Sequence, residues 1–352
     1  MTSQPNLVLF LSSIDIKISM GDTTTATSAH RKAIIGSRTS SFWLYDSQTG
    51  FDLTHPPTPT SPPSDPRLTL KTTTAPITIS PTKSALVIID MQNFFLSPQL
   101  GRSIDSKGLK AQQQLLKYAI PAAHKAGIRI IWLNWGLTKE EIEEMPPATL
   151  RAFGFETVAK DSPGYDDVES RQEAIDDHGV NQGAKELAEQ RDIETSGKDA
   201  RIYKGLGSEV GQIRLEDGST IQGGKLLMRD QWNSDITPPL KAAYEEGLKA
   251  NPPDVWIHKN RMSGLWGDKT PCTEFLEKEG IKTLLFAGVN TDQCVGGSLQ
   301  DAFTKGWDCV LLSDGAGTTS PDHSQESIEF NCAKTWGFCM KCKDFAKGVE
   351  AM

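Results

Sequence analysis

Three residues of this chain close apolar runs and carry side chains that could act together: Asp90, Lys259 and Cys294. Cys294 follows Leu284-Leu285-Phe286-Ala287-Gly288-Val289-Asn290-Thr291-Asp292-Gln293, an apolar stretch that breaks at Gly288 and continues as a helix. Asp90 ends Leu86-Val87-Ile88-Ile89, and Lys259 ends Val255-Trp256-Ile257-His258. A cysteine that attacks a carbonyl must do so as a thiolate, so it needs a base to take its proton and a cation to favour its charge. Asp90 can be the base and Lys259 the cation. A helix N-terminus also favours a thiolate, and backbone N–H groups around Asn290 and Cys294 can face the oxyanion of a tetrahedral intermediate.

The surrounding pattern supplies the elements that would bring the three together. Residues 84–90 form a short continuous apolar run, as expected of a parallel strand buried on both faces. Residues 110–126 have helical spacing closed by Gly127, and 128–133 make a second strand. Further on, the pattern predicts strands at 255–258, 283–289, 307–312 and 337–341. Helices are predicted at 270–278, 292–305, 321–335 and 344–349, the first with Thr270 as N-cap and Pro271 in the first position. Alternating units of this kind specify a three-layer α/β/α Rossmann-like sandwich with a mostly parallel sheet, whose chemistry gathers at the strand C-termini.

The 352 residues exceed one ordinary domain. Residues 1–82 are rich in Thr, Ser and Pro, and Pro56, Pro57, Pro59, Pro62, Pro63 and Pro66 crowd together. This composition predicts a largely disordered extension, leaving an α/β domain at 83–352 in which 138–250 reads as an insertion of loops and lids. The formal net charge of −8 argues against binding a phosphate backbone, so no nucleic-acid partner is expected. The apolar run Leu7-Val8-Leu9-Phe10-Leu11 is too short to span a membrane and has no basic leader, so neither a membrane association nor a classical signal peptide is expected. Six cysteines are too few for a disulfide scaffold in a chain of this length, which points to a reducing compartment and a cytoplasmic location.

The stretches Leu86 to Phe95, the Lys259 segment and Gly288 to Val295 together resemble the isochorismatase-like cysteine hydrolase superfamily, over about residues 83–345. The resemblance implies that family's fold and an Asp-Lys-Cys triad: Cys294 as nucleophile, Asp90 as proton acceptor and later donor, Lys259 as electrostatic partner. It also implies a cis peptide at Val289-Asn290, turning amides toward the oxyanion, and a homo-oligomer. Nicotinamidases of this superfamily hold a divalent metal through an Asp and two His residues after the second strand. Here that position reads Leu133-Asn134-Trp135-Gly136, so no metal and no cofactor is expected. The intact cysteine favours hydrolysis of a C–N bond in a small amide, carbamoyl or ureido compound through a thioester-type intermediate. The alternatives are isochorismate hydrolysis to 2,3-dihydro-2,3-dihydroxybenzoate and pyruvate, and a catalytically silent binding module.

Around the triad, Gln92 is either a substrate contact or a tie within the loop after the first strand. Phe94, Asn134 and Trp135 are expected to shape a substrate pocket, with Trp232 and Trp266 as further candidate walls. His258 reads as a structural neighbour of Lys259. Cys339 and Cys342, with Cys332, have half the spacing of a zinc knuckle but no second pair, so the segment is read as the last strand.

Overall fold

The computed structural model describes residues 29–37, 41–154 and 205–352. Strands β1 (Lys32–Gly36), β2 (Phe42–Asp46), β3 (Gly50–Leu53), β4 (Leu68–Leu70) and β5 (Ile77–Ile79) come first. They are followed by β6 (Ser84–Ile89), β7 (Arg129–Trp135), the small hairpin β8 (Gln212–Arg214) and β9 (Thr220–Gln222), then β10 (Val255–Lys259), β11 (Thr283–Val289), β12 (Asp308–Gly317) and β13 (Phe338–Met340). The central sheet has the order β10-β7-β6-β11-β12-β13, and every neighbouring pair in it is parallel.

Alternation along the strands builds two cores, one on each face. Ala85, Val87 and Ile89 of β6 point into one, with Leu276, Leu299 and Ile328 from the helices Pro271–Lys278, Gly296–Lys305 and Asp322–Asn331. Leu86 and Ile88 point into the other, with Leu115, Ile120 and Phe345 from the helical stretch 107–126 and the helix Cys342–Glu350. A strand covered by helices on both sides has no polar face to show, which is why β6, β7 and β11 read as continuous apolar runs. The architecture is the three-layer sandwich that the pattern predicted. Thr270 caps its helix through a reciprocal pair with Thr273 and has Pro271 behind it, and Gly127 ends the helix before β7 with φ 70°.

The expectation of a largely disordered extension does not hold for its described residues, while 1–28 and 38–40 lie outside them. From residue 41 to 82 it is folded, and with β1 it forms a five-stranded sheet of order β1-β2-β3-β5-β4. The prolines are confined to the connection between β3 and β4, while Leu68, Leu70, Ile77 and Ile79 alternate with polar residues and are buried in the second core. Trp43 and Phe51 pack on Phe338, and the Thr73 N–H donates to Cys339 O at 2.8 Å. Asp308, at the start of β12, accepts from Trp43 Nε1 at 2.7 Å and Thr283 Oγ1 at 3.0 Å and lies 2.6 Å from His55 Nε2. Composition averages over a segment; burial is decided residue by residue.

Of the insertion at 138–250, the described parts include helices Lys139–Glu143 and Pro238–Gly247 and the β8–β9 hairpin, with Leu206, Ile213, Leu226 and Leu227 buried in the first core. Residues 155–204 and the run Leu7–Leu11 lie outside the described residues. No described helix is long and apolar enough to cross a membrane. Cys339 sits in one core and Cys342 in the other, so that pair does not converge on a common ligand.

Asp308→Ala removes one buried acceptor from three donors contributed by the extension and the domain. The expected cost is about 3 kcal/mol, since each stranded buried donor costs roughly 1–3 kcal/mol. Urea denaturation measures it. A variant as stable as the parent would mean that the extension is held by its apolar contacts alone.

Candidate active site

Asp90, Lys259 and Cys294 come together beyond the C-terminal ends of β6, β10 and β11. Asp90 is the residue after β6 and takes φ 53°, a left-handed conformation that turns the chain out of the strand. Its side chain is fully buried. Its Oδ1 accepts the Trp135 backbone N–H at 3.1 Å, and its Oδ2 lies 3.0 Å from Lys259 Nζ. Lys259 reaches it from the sheet edge, across the end of β7. The ammonium donates also to Arg261 O at 3.0 Å and Met262 O at 3.1 Å, and sits 4.1 Å from the centre of the Trp135 ring. An ammonium has three protons to donate; two go to these carbonyls, and the ion pair with Asp90 holds the group in place.

Cys294 lies in the wide helical turn Thr291–Val295 that precedes the helix Gly296–Lys305. The bend before it is tight. Gly288 has φ 113°, and a Cβ there would lie 2.0 Å from Ile89 O, so only glycine lets β11 run this close to the end of β6. The Val289-Asn290 peptide bond is cis. Cys294 is 6% exposed, and its thiol and the Asp90 carboxyl are near enough to shift each other's ionisation.

Burial governs the charges. It pushes the Cys294 thiol up to about 12, against the pull of Lys259, and the Asp90 charge pushes in the same direction as burial. Burial also raises the Asp90 carboxyl above the usual carboxylate range, opposed chiefly by Lys259. The expectation that position at a helix start favours a thiolate therefore does not describe this closed site. Desolvation outweighs the helix end, and the resting sulfur carries its proton.

The predicted substrate contacts separate into different environments. Gln92 is a tie: its Nε2 donates to Trp135 O at 2.7 Å and Ser234 O at 2.5 Å, and its Oε1 accepts from Trp135 N at 3.1 Å. With those groups engaged it fixes the loops around the triad and is not free to bind substrate. Phe94 and Trp135 lie in the same core as Cys294, and both pack against Phe153. Asn134 does not join them, because alternation along β7 sends its side chain to the opposite face, the face on which neighbouring Trp132 donates to Asp254 at 2.9 Å. His258, paired with Asn134 in register, shares that opposite face. Trp232 is half-buried against the first core, whereas Trp266 is 52% exposed and stacks on Arg261. The two carbonyls that hold Lys259, from Arg261 and Met262, were missed; backbone acceptors leave no mark in side-chain spacing.

An isochorismatase domain model matches residues 220–332, a span that takes in Lys259 and Cys294. The ureidoacrylate amidohydrolase RutB of Rhizobium rhizogenes is 25% identical over 287 residues, covering 80% of this chain and 90% of the relative. The protein of the same name from Agrobacterium fabrum is 25% identical over 282 residues, 79% of this chain and 95% of its own. Among solved structures, the nicotinamidase PncA of Bacillus subtilis aligns with a TM-score of 0.45 and 15% identity, over 74% of this chain and 99% of its own. These similarities are to hydrolases, and the part of the chain that matches the isochorismatase domain is residues 220–332.

Lys259→Met leaves the Asp90 carboxylate buried without its counter-ion, a change that costs about 3–5 kcal/mol when the charge is retained. The carboxyl escapes part of that cost by holding its proton. A carboxyl whose folded pKa lies above its unfolded value stabilises the fold below the unfolded value, near 4, and that contribution is lost as pH rises through the folded value. The deficit of Lys259→Met relative to the parent is therefore expected to grow between pH 4 and pH 8 in chemical denaturation. A deficit independent of pH would separate Lys259 from the ionisation of Asp90.

Proposed function

We propose that the chain hydrolyses a C–N bond in a small amide, carbamoyl or ureido compound, with Cys294 as nucleophile, Asp90 as proton carrier and Lys259 as their fixed positive charge. The observation that carries this reading is the buried ion pair of Asp90 and Lys259, 3.0 Å apart, beside the buried Cys294 thiol, whose ionisation both groups influence. The curated relatives named ureidoacrylate amidohydrolase, at 25% identity, support a ureido or carbamoyl substrate class.

The resting group holds one carboxylate, one ammonium and one neutral thiol. When the proton moves from sulfur to Asp90, it becomes a carboxylic acid, an ammonium and a thiolate. The net charge is the same, so the transfer adds no charge to a site where each uncompensated ion costs several kcal/mol. The thiolate attacks the carbonyl carbon, a C–S bond forms, and the carbonyl oxygen becomes an oxyanion to be met by the backbone N–H groups of Asn290 and Cys294. Asp90 returns its proton to the nitrogen as the C–N bond breaks, and the amine leaves. Water then attacks the thioester, giving one proton to Asp90. The C–S bond breaks, the acid departs, and the proton returns to sulfur. Lys259, held by two carbonyls and its ion pair with Asp90, neither gives nor takes a proton in this scheme.

Cys294→Ala is expected to lower kcat/KM by about 10³-fold or more on any ureido or carbamoyl substrate the parent turns over, the scale seen when a covalent nucleophile is removed. Rapid quench and mass spectrometry should find the acyl group on the peptide containing Cys294 in the parent. Wild-type turnover by Cys294→Ala would sink the nucleophile assignment. Loss of amide hydrolysis with retained cleavage of a vinyl ether would favour isochorismate instead.

A further inference from the structure

The arrangement leaves one electrostatic need without an obvious supplier. A thiolate in this site requires a hydrogen-bond donor, and Lys259 gives protons to Arg261 O and Met262 O and faces Asp90 Oδ2 at 3.0 Å, with no hydrogen bond to the sulfur among the described residues. Lys259 acts on the sulfur through space only. At the same time, a neighbouring donor lacks an acceptor. The Trp135 indole N–H is buried in a side chain 1% exposed, and among the described residues it has no hydrogen-bond partner in the resting site. An indole nitrogen can only donate, and leaving such a group unpaired in the interior costs about 1–3 kcal/mol.

We propose that the Trp135 indole N–H is the donor that stabilises the Cys294 sulfur as a thiolate, while the face of the same ring holds the Lys259 ammonium beside Asp90. This rests on the proposed role of Cys294 and adds a fourth residue to it. The indole lies in the same core as Cys294, and its unpaired N–H acts in the direction that favours the charged form of the sulfur. The ring face lies 4.1 Å from Lys259 Nζ, a cation–π distance. The backbone N–H of the same residue donates to Asp90 Oδ1 at 3.1 Å. One residue thus bears on all three members of the group, through its main chain, its ring face and its ring edge.

The energetic logic lies in the difference between two states of sulfur. A neutral thiol is a weak acceptor, so in the resting site the indole N–H is poorly satisfied. When the proton passes to Asp90 the sulfur becomes a charged acceptor, and hydrogen bonds to charged groups are roughly twice as strong as neutral ones. The donor therefore contributes more after proton transfer than before, which is the condition for lowering a barrier and not merely tightening a ground state. It also offsets part of the burial that pushes the thiol upward.

The test replaces Trp135 with benzothienylalanine, which keeps the bicyclic shape and puts sulfur where the N–H stood, alongside the simpler Trp135→Phe. The alkylation rate of Cys294 by iodoacetamide is followed against pH by peptide mass spectrometry, which separates it from the five other cysteines, all buried. In a benzothienylalanine variant that melts like the parent, the profile is expected to shift so that modification is about tenfold slower at any given pH below the midpoint, the equivalent of one charged hydrogen bond. Trp135→Phe should show the same shift. An unchanged alkylation profile in the folded benzothienylalanine variant would overturn the proposal. That outcome is distinct from failure of the proposed function, which would show as hydrolysis surviving in Cys294→Ala whatever the profile of the Trp135 variants.

Discussion

The ion pair between Asp90 and Lys259 constrains everything around it. Both side chains are essentially excluded from water, and taking two charges out of solvent costs several kcal/mol each before any attraction is counted. Such a pair persists only when the remaining protons and lone pairs are met. Here Arg261 and Met262 lend carbonyls to the ammonium, and the Trp135 N–H donates to one carboxylate oxygen while the other faces Lys259. These partners come from the loop after β10 and the end of β7, so the segments must be placed before the pair can be buried. Gln92 performs that placement by fastening Trp135 O and Ser234 O to the loop after β6. The chemistry and the folding of the strand ends are therefore set by the same hydrogen bonds.

Much of the fold was legible because its signals are local. Continuous apolar runs marked the buried parallel strands, and Gly127, Thr270 and Pro271 marked helix ends through backbone requirements that depend on little else. The triad residues were legible for a related reason. Each follows directly on an apolar strand or its turn, and parallel strands place such positions at one edge. The N-terminal sheet was hidden because its prolines, gathered in one connection, dominated the composition of the whole segment.

Within the site, the misreadings follow from tertiary context. Asn134 and Trp135 are adjacent in sequence and equally close to the strand end, yet the pleat sends them to opposite faces, and only Trp135 reaches the sulfur side. Strict counting along β7 from Leu133, which shares a core with Trp135, would have separated them. The direction in which the thiol is shifted could not be counted in any such way. It depends on how completely residues from β6, β7, β10 and β11 close over Cys294, and closure is a property of the assembled strands.

The extension is fastened at Asp308, the first residue of β12, and so at the pole of the parallel sheet opposite Cys294. A strand of seven residues such as β11 spans roughly 23 Å at about 3.3 Å per residue. The segment behaves as a base plate under the sheet. A reporter protein or affinity handle joined directly to β1 would be tethered, through β2 and Trp43, to that pole and not to the strand C-termini.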